Sequence, residues 1–266
     1  MTDFRANAQY LTTLDQLIAK LQSDLSLPTV IGISGAQGSG KSTLANEVAL
    51  RLNAAGIKAD AVSLDDYYLS KAQRQSLAGQ VHPLLLQRGV PGTHDIGRAI
   101  ADANAVLAGQ AVALPQFDKA LDEPFAAKPV QQLDVLIVEG WCLGTKAQAQ
   151  SELSSPVNEL EQGEDGDCIW RRYVNRQLET GYAEYWLLLQ RLIWLKAPDW
   201  QAVCRWRAQQ EQQLWQKRGK GMTPEQLARF MLPFQRLTQA SWQQLPQLAD
   251  YTIELDQQHN VSFNPA

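Results

Sequence analysis

Cysteine is scarce in this 266-residue chain, and the few present are not spaced for a staple or a metal. Cys142, Cys168 and Cys204 are odd in number, lie far apart and form no CxxC pair. That argues against a disulfide framework and a zinc site, and for reduced, partly buried thiols. Long Lys/Arg runs are missing as well. With a formal net charge of −4, neither nucleic acid nor an anionic membrane is an expected partner. No apolar stretch is long enough to span a bilayer, and residues 1–7 lack the basic-then-apolar order of a signal peptide. A cytoplasmic protein is the expectation. Internal repeats and low-complexity tracts are also absent.

What is there suits a globular α/β chain. A hydrophobic fraction of 45% against 20% charged residues is enough to bury a large core. The spacing of Tyr10, Leu11, Leu14, Leu17, Ile18 and Leu21 predicts an amphipathic helix within an N-terminal segment 1–27. After Pro28 an apolar run, residues 29–34, reads as a buried strand. A helix from Lys41, with Leu44, Val48 and Leu52 on one face, ends near Gly56. Residues 59–64 read as a second strand, stopped by Asp65-Asp66-Tyr67-Tyr68. The pattern weakens over 69–92, a helix starts at Asp95, and 114–129 reads as irregular. Residues 134–139, apolar without alternation, suit a strand covered on both faces.

The acidic stretch within 151–168 reads as a solvated loop and 170–189 as helix. Leu192–Leu195 and Tyr251–Leu255 are further strands. A long helix spans about 199–217, and Thr223-Pro224-Glu225-Gln226 carries the N-cap, first-turn proline and capping-box partner of another. Strands alternating with helices predict a mostly parallel five-stranded sheet in a three-layer αβα arrangement.

Gly35-Ala36-Gln37-Gly38-Ser39-Gly40-Lys41-Ser42 matches G-x-x-x-x-G-K-[ST] at every fixed position, with a strand before it and a helix, continuing through Thr43, after it. Glycines let the backbone turn tightly, so that successive N–H groups face one anion. The helix N-terminus adds positive potential. Lys41 is placed for β/γ-phosphates and the Ser42 hydroxyl for Mg²⁺. The ligand this implies is ATP rather than GTP, since no N-K-x-D stretch is present.

Ligands of open α/β sheets sit beyond the carboxyl ends of the strands. Asp65 closes the second strand there and Glu139 the third. Either could hold Mg²⁺, and Asp65 could instead accept the proton of an acceptor hydroxyl. Asp66 either shares that role or faces solvent. Arg88-Gly-Val-Pro-Gly-Thr-His94-Asp95 joins a cation to a rigid turn and a helix start, and Lys119 stands beside Phe117. Asp66, Tyr67, Arg88, His94, Asp95 and Lys119 are the candidate acceptor-binding residues, within an insertion spanning 69–129. Arg205 and Arg207, with Lys217 and Arg218 further along, are candidates to close over transferring phosphates from a lid of about 199–222.

Gly35–Ser42, Asp65-Asp-Tyr67, Arg88–Asp95, Phe117-Asp-Lys119 and Val138-Glu-Gly-Trp141 together resemble the plant-type D-glycerate 3-kinases and their bacterial and fungal relatives. Cys204-Arg-Trp-Arg207 and residues 219–233 resemble their lid and the helix after it. The resemblance runs from about Thr29 to Thr238, within the uridine kinase, phosphoribulokinase and pantothenate kinase group with its nucleoside-monophosphate-kinase-like P-loop fold. It implies ATP, Mg²⁺, a small and acidic hydroxylated acceptor, and phosphoryl transfer to it. D-glycerate leads as acceptor, with a nucleoside, a pantothenate-like compound or another sugar acid as alternatives. One departure is the acidic segment Ala120–Phe125, where the family is basic and glycine-rich. The rival reading is a P-loop regulatory ATPase acting on a protein partner.

Overall fold

The structure, a computed structural model, describes residues 8–219 and 221–265, with the side chains of Lys217, Arg218, Asn264 and Pro265 excepted. The chain opens with α1 (Ala8–Asp24), β1 (Thr29–Gly35), α2 (Lys41–Ala54) and β2 (Ala59–Ser63). Next come α3 (Lys71–Gln80), α4 (Ile96–Leu107) and four short strands: β3 (Ala111–Val112), β4 (Gln116–Asp118), β5 (Glu123–Phe125) and β6 (Gln131–Gln132). Then follow β7 (Val135–Gly140), α5 (Gln150–Leu153), α6 (Glu159–Glu164), α7 (Ile169–Glu179), α8 (Gly181–Leu187) and β8 (Arg191–Lys196). The chain finishes with α9 (Trp200–Arg218), α10 (Pro224–Gln244), β9 (Tyr251–Leu255) and β10 (Val261–Pro265).

The central sheet has the order β10-β9-β8-β1-β7-β2. All its pairings are parallel except the β9–β10 edge. Successive side chains of a strand face opposite ways. Thus Ile31 and Ile33 of β1 join the leucines of α1 and α2 and the apolar face of α9. Val30 joins α4, α7 and α8 on the other side. Three αβα layers result, as the alternation of elements requires.

Several elements differ from the sequence reading. The sheet gains a sixth strand, β10, which turns back on β9. The weak stretch 69–92 contains α3, started by a capping box: Ser70 accepts from the Gln73 amide while the Gln73 side chain accepts from the Ser70 amide. Residues 116–125, read as irregular, form the antiparallel ribbon β4–β5. The helix expected over 170–189 breaks at Thr180, where Gly181 lies so close to Ile96 of α4 that an added Cβ would come within 2.9 Å of it.

The acidic stretch is solvated only in part: Glu159, Glu164 and Asp167 are exposed, and part of it is helical. Glu161 and Asp165 are buried, and Asp165 accepts the Trp170 amide at 2.8 Å. Arg236 of α10 bonds Glu161 at 2.6 Å, and Arg171 lies 3.5 Å from Glu161 and 3.6 Å from Asp165. At Glu161 and Asp165 the clustered charge reflects buried partners, because each of these two carboxylates has a guanidinium to face.

At the far edge of the sheet, Lys128 donates to the Ala61 carbonyl and to Asp60, and Asp60 accepts the Ala61 amide. Among the described residues no helix is long and apolar enough to cross a membrane.

Candidate active site

β1, β7 and β2 run parallel, so their carboxyl ends open on one rim. Register places Glu139 opposite Ile33 of β1 and Ser63 of β2. The loop after β1 leads into α2, with Gly38 and Gly40 at φ 79° and 91°. Both lie in the left-handed region, where a side chain is strained. The Gly38 position is closed for a second reason: a Cβ would sit 2.7 Å from that of Trp206 in α9. The loop is therefore packed between its own helix and α9.

The Ser42 hydroxyl donates to Glu139 Oε1 at 2.6 Å, and Lys41 Nζ lies 3.9 Å from Glu139 Oε2. Glu139 is buried, and its Oε2 has no hydrogen-bond partner. A hydroxyl and a buried, under-satisfied carboxylate at a phosphate loop fit a hard divalent cation such as Mg²⁺. Asp65 fits that role less well, because both its oxygens are occupied. Tyr68 donates to Oδ1 at 2.7 Å, and Lys119 donates to Oδ2 at 2.6 Å. Burial raises the Asp65 pKa, but Lys119, Lys41 and Tyr68 outweigh it and hold the carboxyl well below the usual range. Asp65 is an anion at neutral pH. Lys119 is affected in reverse: burial lowers its pKa, and the Asp65 charge and hydrogen bond more than restore it.

A cleft of about 310 Å³ joins these parts. Gln37, Gly38, Gly40, Lys41, Ser42 and Thr43 line one end; Asp65, Lys119 and Arg88 line the other; and Arg207 comes from α9. Arg88 lies over the rings of Phe117 and Tyr68, at 5.4 and 5.9 Å from their centroids. The unexpected acidic segment explains its placement. Asp122 pairs with Arg88 and, at 2.7 Å, with Arg74, so it anchors the arginine that lines the cleft.

Four of the candidate acceptor residues lie elsewhere. Residues 64–67 form a 3₁₀ turn, in which side chains three apart eclipse. Tyr68 therefore shares the side of Asp65, while Asp66 and Tyr67 point away. Asp66 closes a capping box with Ser63 and also accepts the Phe117 amide. Tyr67 is buried and donates to Asp102 at 3.0 Å. Asp95 is an exposed N-cap of α4, accepting the Arg98 amide.

His94 is buried behind the wall, stacked on Tyr68 at 4.6 Å with Nδ1 2.6 Å from the Tyr182 hydroxyl. Its segment is zipped to the acid segment by the bonds from Leu69 to Thr93 and from Asp95 to Tyr67. Of the lid candidates, Arg207 faces the cleft and pairs with Glu211 at 2.7 Å, whereas Arg205 bonds Gln257. Two residues along a helix differ by about 200° in direction, so only one of the pair can face the cleft. The side chains of Lys217 and Arg218 lie outside those described.

The sequence reading missed Tyr68, Trp141, Gln210, Phe230 and Phe234, all of which line the cleft. Tyr68 stands three residues after Asp65, a spacing that becomes a signal only once the 3₁₀ turn is known. The aromatics carry no chemical motif; Trp141 is set by its bond to the Gly89 carbonyl at 2.8 Å and its edge contact with Phe234 at 5.0 Å.

No protein-family profile matches the chain. A fission-yeast (Schizosaccharomyces pombe) protein, uncharacterized kinase mug58, is 33% identical over 218 residues, 77% of each chain. The probable ATP-dependent kinase TDA10 of Saccharomyces cerevisiae is 30% identical over 267 residues, covering 88% of this chain and 87% of its own. The chloroplastic D-glycerate 3-kinase of Arabidopsis thaliana is 27% identical over 77% of this chain and 45% of its own length. The solved structure of YGR205w protein superposes with a TM-score of 0.74 at 28% identity, covering 95% of this chain and 97% of that one. The chain is an ATP-dependent kinase and belongs to the P-loop kinase family that contains these fungal kinases and the plant D-glycerate 3-kinase.

Proposed function

We propose that the chain transfers the γ-phosphoryl group of ATP to a hydroxyl of a small acidic metabolite, with D-glycerate as the acceptor. The observation that carries this reading is the single cleft in which the phosphate loop faces the ionised Asp65, with Arg88 and Arg207 on its walls. The relationship to plant D-glycerate 3-kinase supports the choice of acceptor.

In this reading Lys41 and the loop amides, apart from that of Ser39, which donates to the Ala36 carbonyl, receive the phosphates. Arg207 exchanges Glu211 for the phosphoryl oxygens, stabilising charge that grows as the bond to the leaving oxygen lengthens. Asp65 receives the acceptor hydroxyl. A carboxyl held so far below the usual range is a weak proton sink, so its first task is orientation, and the proton moves late, as the phosphoryl group bonds. Arg88, fixed in place by Asp122 and two rings, pairs with the acceptor's carboxylate. Ser42 and Glu139 would hold Mg²⁺, which neutralises phosphate charge.

The test is ADP release with ATP, Mg²⁺ and, in turn, D-glycerate, uridine and pantothenate. Acceleration by D-glycerate is expected, lost in Lys41→Ala; acceleration by none would sink the kinase-acceptor reading. Asp65→Asn should lower turnover far more than ATP binding. Equal losses in both would move Asp65 to the nucleotide or the metal.

A further inference from the structure

The turn between β9 and β10 reaches the phosphate loop outside the lining of the cleft, and no part of the mechanism above uses it. His259, in the left-handed region at φ 67°, stacks on the Trp206 indole with centroids 3.8 Å apart. Its Nε2 lies 2.9 Å from the Gly38 carbonyl oxygen. A carbonyl only accepts, so Nε2 carries the proton and donates. Burial lowers the pKa of this imidazole against the opposing pull of the Gly38 carbonyl and Asp256, which keeps the ring neutral near pH 7.

The turn that presents the ring is tightly held. Asp256 Oδ1 accepts the amides of Gln258 and Asn260, each at 2.8 Å, and Asp256 Oδ2 accepts the Asn260 side chain. Gln257 ties the same turn to α9, donating to the N-cap Asp199 at 2.6 Å and accepting from Arg205. Gly38 is pressed against Trp206 from the other direction, with no room for a Cβ. His259 is not among the residues lining the cleft.

We infer that His259 is a positioning residue for the phosphate loop: it holds the Gly38 carbonyl, and so fixes the tight turn from which the later amides of the loop reach the phosphates. The peptide groups of a loop rotate as units. The N–H of the Gly38–Ser39 peptide donates to the Ala36 carbonyl at 3.2 Å, so fixing the Gly38 carbonyl fixes that turn, from which the amides of Gly40, Lys41 and Ser42 follow. Without the donor the loop still closes, but it must give up freedom when an anion binds. The loss therefore falls on nucleotide affinity and not on the chemical step. This inference rests on the reading of Gly35–Ser42 as the triphosphate loop.

The experiment measures binding of a fluorescent N-methylanthraniloyl ATP, with Mg²⁺, together with steady-state kinetics. His259→Phe keeps the stack on Trp206 and removes the donor. Its Kd should rise about five- to tenfold, the usual worth of one hydrogen bond, with kcat at saturating ATP within about twofold of the parent. His259→Gln places an amide donor at similar reach and should recover most of the affinity. Asp256→Ala, a change at an exposed position, loosens the turn and should raise Kd in the same sense. An unchanged Kd in folded His259→Phe overturns the inference, as does a His259→Gln variant no better than His259→Phe. Should His259→Phe fail to fold, an unchanged Kd in Asp256→Ala overturns it instead. Failure of the parent protein to bind the probe at all would refute the loop reading itself.

Discussion

Acid should destabilise this fold, with His94 a main cause and His259, lowered in the same sense, contributing equally to the parent and to a His94 variant. The ring is 4% exposed, and burial pushes its pKa down from 6.5 to about 4 against the opposing pull of Asp65. In the unfolded chain the imidazole takes up a proton near 6.5; in the native state it resists until about 4. With the native value below the unfolded one, this contribution is complete above pH 6.5 and is lost as pH falls toward 4. The loss amounts to about 2 kcal/mol at pH 5 and about 3 kcal/mol by pH 4. Urea unfolding of the parent protein and of His94→Gln, at pH 8 and pH 5, measures it. Glutamine can still accept the Tyr182 hydroxyl but cannot titrate. Asp66 and Asp102, raised by burial, contribute equally to both proteins and cancel. The variant should therefore lose about 2 kcal/mol less than the parent between the two pH values. Equal losses would refute the claim that the native state keeps this imidazole neutral.

Two further expectations concern packing. Gly89 has φ 136°, and a Cβ there would lie 2.6 Å from the Phe234 ring, so Gly89→Ala should press Phe234 into the cleft. Steady-state kinetics should show KM for the acceptor raised about tenfold and KM for ATP nearly unchanged, a strain of one to two kcal/mol placed at one end of the site. Arg236→Met leaves the buried Glu161 with less compensation, and denaturant unfolding should show a loss of about 3–5 kcal/mol.

The phosphate end of the site was legible because its chemistry is local. One loop of eight residues carries the glycines, the cation and the hydroxyl, and strand register delivers Glu139 to Ser42. The acceptor end was legible only in part, since it depends on which way side chains turn. Asp65 and Lys119 meet as an ion pair, although nothing in their separation along the chain requires it. Tyr67 was expected where Tyr68 stands, because a 3₁₀ turn and an irregular loop look alike as letters. The acidic stretch within 151–168 reads as solvated, and Ala120–Phe125 as a departure from the family, because sequence shows charge but not counter-charge. Glu161 and Asp165 meet Arg171 and Arg236, and Asp122 meets Arg74 and Arg88, across separations that only the fold closes. β10 escaped notice because an edge strand needs only a short run and a turn.

The bonds at the outer edge of β2 bear on how copies of the chain behave when crowded. An open strand edge is a row of free donors and acceptors on which another chain can polymerise. Here the ammonium of Lys128 caps the Ala61 carbonyl, and the Asp60 carboxylate, also bonded by Gln131, takes the Ala61 amide. A strand arriving at that edge would first have to displace this ion pair from the Ala61 peptide groups, which competes with the ladder bonds it could form. The lysine and its carboxylate partner thus occupy, within the chain itself, edge groups that a second strand would need.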